Sequence, residues 1–268
     1  MASKLRNGTD DSHGVEHLHR TQVQVLQGVV AQDVTIKPGS CEPVRLVRRY
    51  LPTQRWVHWV GVITFLALLL SGVALLVPSF AFAAANGWTR FIHRVAVVPF
   101  VLLPIIYALL NPKEALELVI ESFTYSREDL EWFKHMPAYF LGHTRGLPPQ
   151  GRINAGQKLH HASTFLMFIA VSVSGFILIL GKSNLGQSGL ALAAMVHDLS
   201  MLGLTVMMVG HLYFTFLYDA LNAMLTGFVT EEYAKMEHRK WLETVPENEF
   251  VVRTKGGGKS LEQKQNLK

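Results

Sequence analysis

The chain has 268 residues, 49% of them apolar and 17% charged, with a formal net charge of +5. Its single cysteine, Cys41, excludes an internal disulfide, a zinc–cysteine or iron–sulfur cluster, and a C-x-x-C-H haem attachment. The distribution of charge excludes an ordinary soluble domain, because four windows carry almost no charge and each is about the 20 residues that a bilayer core needs.

Residues 1–46 are polar and read as a flexible or partner-bound N-terminal arm without the apolar core of a signal peptide. The first span is expected at 57–78, the second at 91–110, the third at 160–180 and the fourth at 191–217. These runs lack the alternation of barrel strands, so helices are the only spanning structure open to them. Pro99 and Pro104 predict a kink in the second. The expected fold is therefore an all-α membrane protein, a four-helix transmembrane bundle over residues 47–220. The 111–159 loop carries Leu116, Val119, Ile120 and Phe123, then Leu130, Phe133 and Met136, at helical spacing. Short amphipathic helices at the membrane surface are expected there. After the bundle, residues 221–268 form a C-terminal extension. Thr230 is a candidate cap for a polar helix through about Glu243, and disorder is expected from Arg253.

Positive charge gives the orientation. Of the 25 Lys and Arg, 8 lie in residues 1–56, 6 in 112–159 and 8 after Leu217. Only Arg90, Arg94 and Lys182 lie at the opposite ends of the spans. By the positive-inside rule both termini and the 111–159 loop are cytoplasmic, in a bacterial inner membrane. The basic excess belongs to these flanks, and nothing resembles a nucleic-acid-reading surface.

Ionisable residues inside a span are expensive and mark function. His58 opens the first span, His93 lies early in the second, His160 and His161 open the third, and His197 and His211 share the fourth. Fourteen residues separate His197 from His211, which is about 21 Å along a helix and nearly a whole number of turns. One helix thus presents two imidazoles on one face, near opposite membrane surfaces. Span direction puts His58 level with His211 on the inner side, and His93 level with His197 on the outer side.

Two imidazoles per level suit a six-coordinate b-type haem held between helices. With both axial positions taken by protein, the natural task is electron transfer. Gly72 and Gly175 would let a flat macrocycle approach. Arg55 and Arg90 each precede a histidine by three residues, which suits haem propionates. Singly, each residue has a plainer use: a hydrogen-bonding histidine, a lipid-headgroup arginine, a packing glycine. The level-matched pairs have none. A His-dependent ion or proton transporter would call for acids at mid-depth, and Asp198 is the one acid within a span. A passive membrane anchor would have no need of paired histidines. His160 and His161 find no level-matched partner; they divide between a quinone-site role and interfacial polarity. His13, His17, His19, His135, His143 and His238 are read as solvated or interfacial.

The motifs RWVHW at 55–59, RFIHR at 90–94, NAGQK at 154–158 and the pair His197 and His211 resemble the cytochrome b556 (gamma) subunit of membrane-bound respiratory formate dehydrogenase, over about residues 47–250. The resemblance implies two haems b, ligated by His58 with His211 and by His93 with His197. It implies a quinone beside Asn154 and Gly156 near the inner haem, where Gln157, Lys158 and His161 could hydrogen-bond or relay protons. It also implies partners: an iron–sulfur (beta) subunit and a molybdenum- or tungsten-dependent catalytic (alpha) subunit. No catalytic residue is expected in this chain, an electron-transfer subunit that is not an enzyme alone. The same scaffold could serve a nickel–iron hydrogenase or a thiosulfate reductase.

Overall fold

The computed structural model describes residues 43–218 and 220–254. Most of the N-terminal arm, with Cys41, His13, His17 and His19, lies outside the described residues, as does the tail from 255.

Four helices are long and apolar enough to cross a membrane. They are α1 (Pro52–Leu76), α2 (Trp88–Leu110), α6 (Ala155–Leu180) and α7 (Gln187–Leu217). Between α2 and α6 run three short helices, α3 (Pro112–Phe123), α4 (Arg127–Lys134) and α5 (Met136–Phe140). After α7 come α8 (Ala220–Thr226), α9 (Glu231–Glu237) and α10 (Arg239–Leu242).

Each long helix starts before its apolar window, because its first turn, with Gln54, Thr89, Gln157 or Gln187, carries polar residues that need not lie in hydrocarbon. Pro52 occupies the first turn of α1, where its missing N–H costs nothing, and Gln54 accepts from the Leu51 N–H at 2.9 Å. Asn154 caps α6: its side chain accepts from the Gln157 N–H at 2.9 Å, and the Gln157 side chain accepts from the Asn154 N–H at 3.0 Å. The second long helix runs unbroken through Pro99 and Pro104.

The helices pack as two hairpins, α1 on α2 and α6 on α7. Small residues fill the buried seams: Thr64, Ser71 and Ala96 in the first hairpin, Ala162, Ser174, Ala193 and Ser200 in the second. Ser71 and Ser174 each donate to the carbonyl four residues back at 2.6 Å, which satisfies a hydroxyl that lipid could not. Large side chains such as Ile63, Leu70, Leu109, Leu180 and Phe216 face outward. In water so much exposed apolar surface would aggregate; in hydrocarbon it is simply solvated.

Outside the spans the structure differs from expectation in four places. Residues 43–46 belong to a strand, not to the arm: β1 (Pro43–Arg48) is the central strand of a three-stranded antiparallel sheet, between β2 (Phe228–Thr230) and β3 (Phe250–Thr254). Arg253 accordingly pairs in that sheet, opposite Val44, instead of opening a disordered tail. Thr230 does cap a helix, accepting from the Tyr233 N–H at 3.2 Å, but α9 stops at His238, whose φ of −140° leaves the helical region. His238 is buried, not solvated, and its Nδ1 donates to the Gly151 carbonyl at 3.0 Å.

The basic run before α1 is engaged. Arg45 pairs with Glu231 at 3.4 Å and Glu247 at 2.5 Å, and Arg48 pairs with Glu249 at 2.9 Å. The main-chain N–H groups of Arg49 and Tyr50 both donate to the Gly227 carbonyl, at 2.8 and 3.1 Å. Gly227 has φ +89°, and a Cβ there would lie 3.0 Å from the Tyr50 oxygen, so glycine is required. The start of α1 is thereby fastened to the segment that follows α7. This is the sheet end of the bundle.

Candidate haem and quinone sites

The histidines of the long helices meet in pairs. His93 of α2 and His197 of α7 have ring centroids 6.3 Å apart; His58 of α1 and His211 of α7 have theirs 6.2 Å apart. The first pair lies away from the sheet end and the second near it. Neither pair is in hydrogen-bonding contact, and the spacing fits one metal between two rings. With nitrogen–metal bonds of about 2.0 Å, and about 1.1 Å from ring nitrogen to ring centre, two axial imidazoles have centroids about 6.2 Å apart. Among the described residues no three His, Cys, Asp or Glu side chains converge as a site for a bare ion. A pair of imidazoles supplies two ligands only, so the others have to come with the metal, as in a porphyrin.

The far pair is held in one tautomer. The Ser71 hydroxyl hydrogen goes to the Ala67 carbonyl, so at 2.9 Å from His93 Nδ1 the hydroxyl oxygen is the acceptor and the ring N–H the donor. His197 Nδ1 faces the Val171 carbonyl at 3.0 Å and Ser174 Oγ at 3.3 Å, and a carbonyl can only accept. Both rings therefore carry hydrogen on Nδ1 and keep the Nε2 lone pair for a metal, the usual outer-shell arrangement of ligand histidines. Gly72 and Gly175 hold the space beside them. A Cβ at Gly72 would lie 3.5 Å from His93 Cε1, and one at Gly175 would lie 3.0 Å from His197 Cε1. A cavity of about 680 Å³ surrounds the pair, lined by Gly72, Arg90, His93, Gly175, His197 and Asp198 among others. These observations fit a planar macrocycle with an arginine at its rim.

The pair near the sheet end is set differently. His58 Nδ1 is buried and has no partner among the described residues. His211 is also stacked on His160, with centroids 5.4 Å apart and planes 18° apart, and His160 meets His161 at 5.8 Å. The two histidines of α6 thus have neighbours that level arithmetic missed, because it matched depth without the rotation of α6 toward α7. Arg55 donates to the carbonyls of Met224, at 2.9 Å, and Leu225, at the C-terminal end of α8.

The NAGQK segment is tied to the surface helices. Asn154 is buried, with its amide nitrogen 3.4 Å from the Tyr139 hydroxyl and 3.5 Å from Glu237 Oε2. Gly156 lies against buried Trp132, where a Cβ would come within 2.8 Å of the indole. Gln157 completes the cap. Lys158 reaches Asp129 at 2.7 Å and the Thr124 carbonyl at 3.1 Å. Burial opposes the Asp129 carboxylate, yet hydrogen bonds from Lys158 and Ser126 prevail and hold its pKa below the ordinary value. His161 Nδ1 is buried without a partner among the described residues.

Sequence reading missed Ser71, Ser174 and Glu237. A signal for the serines was present: the dipeptide Ser-Gly occurs at 71–72 and again at 174–175, with a histidine 21 and 22 residues after the respective glycine. It recurs at a distance of about a hundred residues, beyond the period of ordinary repeats.

Four membrane-length helices with two facing imidazole pairs inside define a multi-pass membrane cytochrome b. The chain belongs to the prokaryotic cytochrome b561 family, whose model matches residues 49–227, and membership implies haem b. Its relatives include the cytochrome b556(fdo) subunit of formate dehydrogenase from Escherichia coli K12, 25% identical over 206 residues that cover 74% of this chain and 92% of that one. The formate dehydrogenase cytochrome b556 subunit of Haemophilus influenzae is 26% identical over 201 residues, 74% of this chain and 82% of its own. The nitrate-inducible cytochrome b556(Fdn) subunit of Escherichia coli K12 is 22% identical over 213 residues, 76% and 94% of the two chains.

Proposed function

We propose that this chain is the di-haem cytochrome b subunit of a formate dehydrogenase complex, carrying electrons across the membrane to a quinone. The observation behind the proposal is the pair of imidazole pairs, at 6.3 and 6.2 Å, one toward each end of four apolar helices. Haem b supplies reversible one-electron transfer when bound. His93 with His197, and His58 with His211, would each hold one haem between their rings, a ligand set that suits electron transfer. Ser71, Ser174 and the Val171 carbonyl orient the outer rings. Arg90, on the cavity wall, would pair with a propionate; Arg55 is assigned the same role at the inner level, where its guanidinium is already bound to the end of α8.

The basic sheet end is assigned to the cytoplasm, with both termini there, and the opposite end to the outer face of a bacterial inner membrane. The outer level would take electrons from an iron–sulfur subunit served by a molybdenum- or tungsten-dependent catalytic subunit. The inner level would pass them to a quinone beside Asn154, Gly156, Gln157, Lys158 and His161. Each electron moved against 100 mV of membrane potential stores about 2.3 kcal/mol. Formate as the electron source is supported by the names of the relatives.

The test is His211→Ala in the purified complex. It is expected to halve the haem content, keep the outer haem in the redox-difference spectrum and abolish quinone reduction. Two intact haems with undiminished quinone reduction would overturn the assignment. A haem assay that finds none in the wild type would transfer the histidines to an ion pathway.

A further inference from the structure

Glu237 ends α9 with 2% of its surface exposed. One oxygen, Oε2, accepts from the Tyr139 hydroxyl at 3.3 Å and lies 3.5 Å from the Asn154 amide. The other, Oε1, is buried and has no partner among the described residues. The titratable groups facing it are Tyr139 of α5, Tyr218 at the end of α7 and Tyr233 one turn earlier on α9. None is a cation, and among the described residues no Lys or Arg forms an ion pair with it. The adjacent His238 is kept neutral, chiefly by burial.

A carboxylate buried without a cation is costly, and the simplest relief is a proton. Burial raises the Glu237 pKa to about 7 against the opposing hydrogen bonds from Tyr139 and Asn154. Because Oε2 already accepts, the proton resides on Oε1, which makes that oxygen a donor with no acceptor among the described residues. The carboxyl is connected to the Asn154 cap of α6, the segment assigned above to the quinone.

We propose that Glu237 is the proton-loading carboxyl of the quinone pocket, delivering protons to a quinone bound beside the Asn154 end of α6. The proposal rests on the quinone-reducing function proposed above and adds the source of its protons. Converting a quinone to a quinol takes two electrons, which the electron-transfer function supplies, and two protons, one for each oxygen. Glu237 releases its Oε1 proton, the hydrogen bonds from Tyr139 and Asn154 stabilise the carboxylate left behind, and water on the cytoplasmic side reloads it. Two such cycles complete one quinol.

The experiment compares wild type, Glu237→Gln and Glu237→Asp in the purified complex, with formate as reductant and a short-chain quinone analogue as acceptor. Glu237→Gln is expected to leave haem reduction by formate at the wild-type rate and to slow quinone turnover at least about tenfold. The wild-type decline in rate as pH rises through about 7, where the carboxyl loses its proton, is expected to vanish in the Gln variant. Glu237→Asp is expected to restore much of the rate. Infrared difference spectra should show a protonated-carboxyl C=O band in wild type that is missing from Glu237→Gln. Wild-type turnover by Glu237→Gln across the pH range overturns the proposal, as does an unchanged infrared band. Equal loss of haem reduction also overturns it, by showing a merely structural role. If the wild-type complex reduces no quinone, the underlying functional reading fails; if it does and the Gln variant matches it, this proposal alone fails.

Discussion

Gly175→Ala is the sharpest probe of the outer site. The new Cβ would stand 3.0 Å from His197 Cε1 and 3.3 Å from Nδ1. Carbon atoms rest at about 3.5–4.0 Å, so the ring has to retreat by roughly half an ångström. It is not free to do so, because its Nδ1 is tied to the Val171 carbonyl at 3.0 Å, on the same helix as the glycine. Overpacking of this kind costs about 1–3 kcal/mol, which is about 5- to 150-fold in affinity if the strain falls on the His93–His197 pair. Gly72→Ala is the internal control, since its Cβ would meet His93 Cε1 at an ordinary 3.5 Å. The assay is haem per chain in the purified protein, with a redox titration that resolves the two levels. The expected result is loss or a shifted potential of the outer haem in Gly175→Ala, a smaller change in Gly72→Ala, and an untouched inner haem in both. Equal effects at the two glycines, or none at Gly175, would refute the reasoning.

Ser71→Ala removes the hydroxyl that accepts from His93 but leaves the Leu68 carbonyl near the same nitrogen; outer-haem affinity should fall about tenfold. Ser174→Ala should cost less, because His197 keeps Val171 at 3.0 Å; competition with an apo-protein haem acceptor measures both. Gly156→Ala puts a Cβ 2.8 Å from Trp132, which is buried and packed against Tyr139 with ring centroids 4.8 Å apart. A loss of about 1–3 kcal/mol in thermal or denaturant stability, with the haem spectrum unchanged, is expected.

The spans were legible because hydrocarbon imposes a single condition, a sustained lack of charge, and residues 57–78 or 191–217 meet it without any tertiary partner. The meetings of His58 with His211 and of His93 with His197 were legible for a related reason: alternating direction fixes depth, and fourteen residues fix a face. What depth arithmetic omits is rotation between helices, and so the stacking of His160 on His211 was missed. The sheet was missed for a different reason. Its central strand, Pro43–Arg48, finds partners about 180 and 200 residues away, and one of them, Phe228–Thr230, is three residues long. No local pattern announces such a pairing. Glu237 was hidden too, because a glutamate in a polar helix reads as solvated until Tyr139 and Asn154 arrive from elsewhere in the chain. The same layer gives Asn154, Gly156, Gln157 and Lys158 structural work whatever else they do.

The two levels of the bundle answer to different frames of reference. At the far level, neighbouring serines and a carbonyl within the hydrocarbon dictate how each ring stands. Near the sheet, Arg49 and Tyr50 bolt the start of α1 to Gly227 just beyond α7, outside the lipid. A protein docking on that clasp, or a substitution within it, is expected to shift the pair of His58 and His211 and to leave His93 and His197 at their own setting. On the function proposed, entry and exit of electrons would then be adjusted separately within a single short chain.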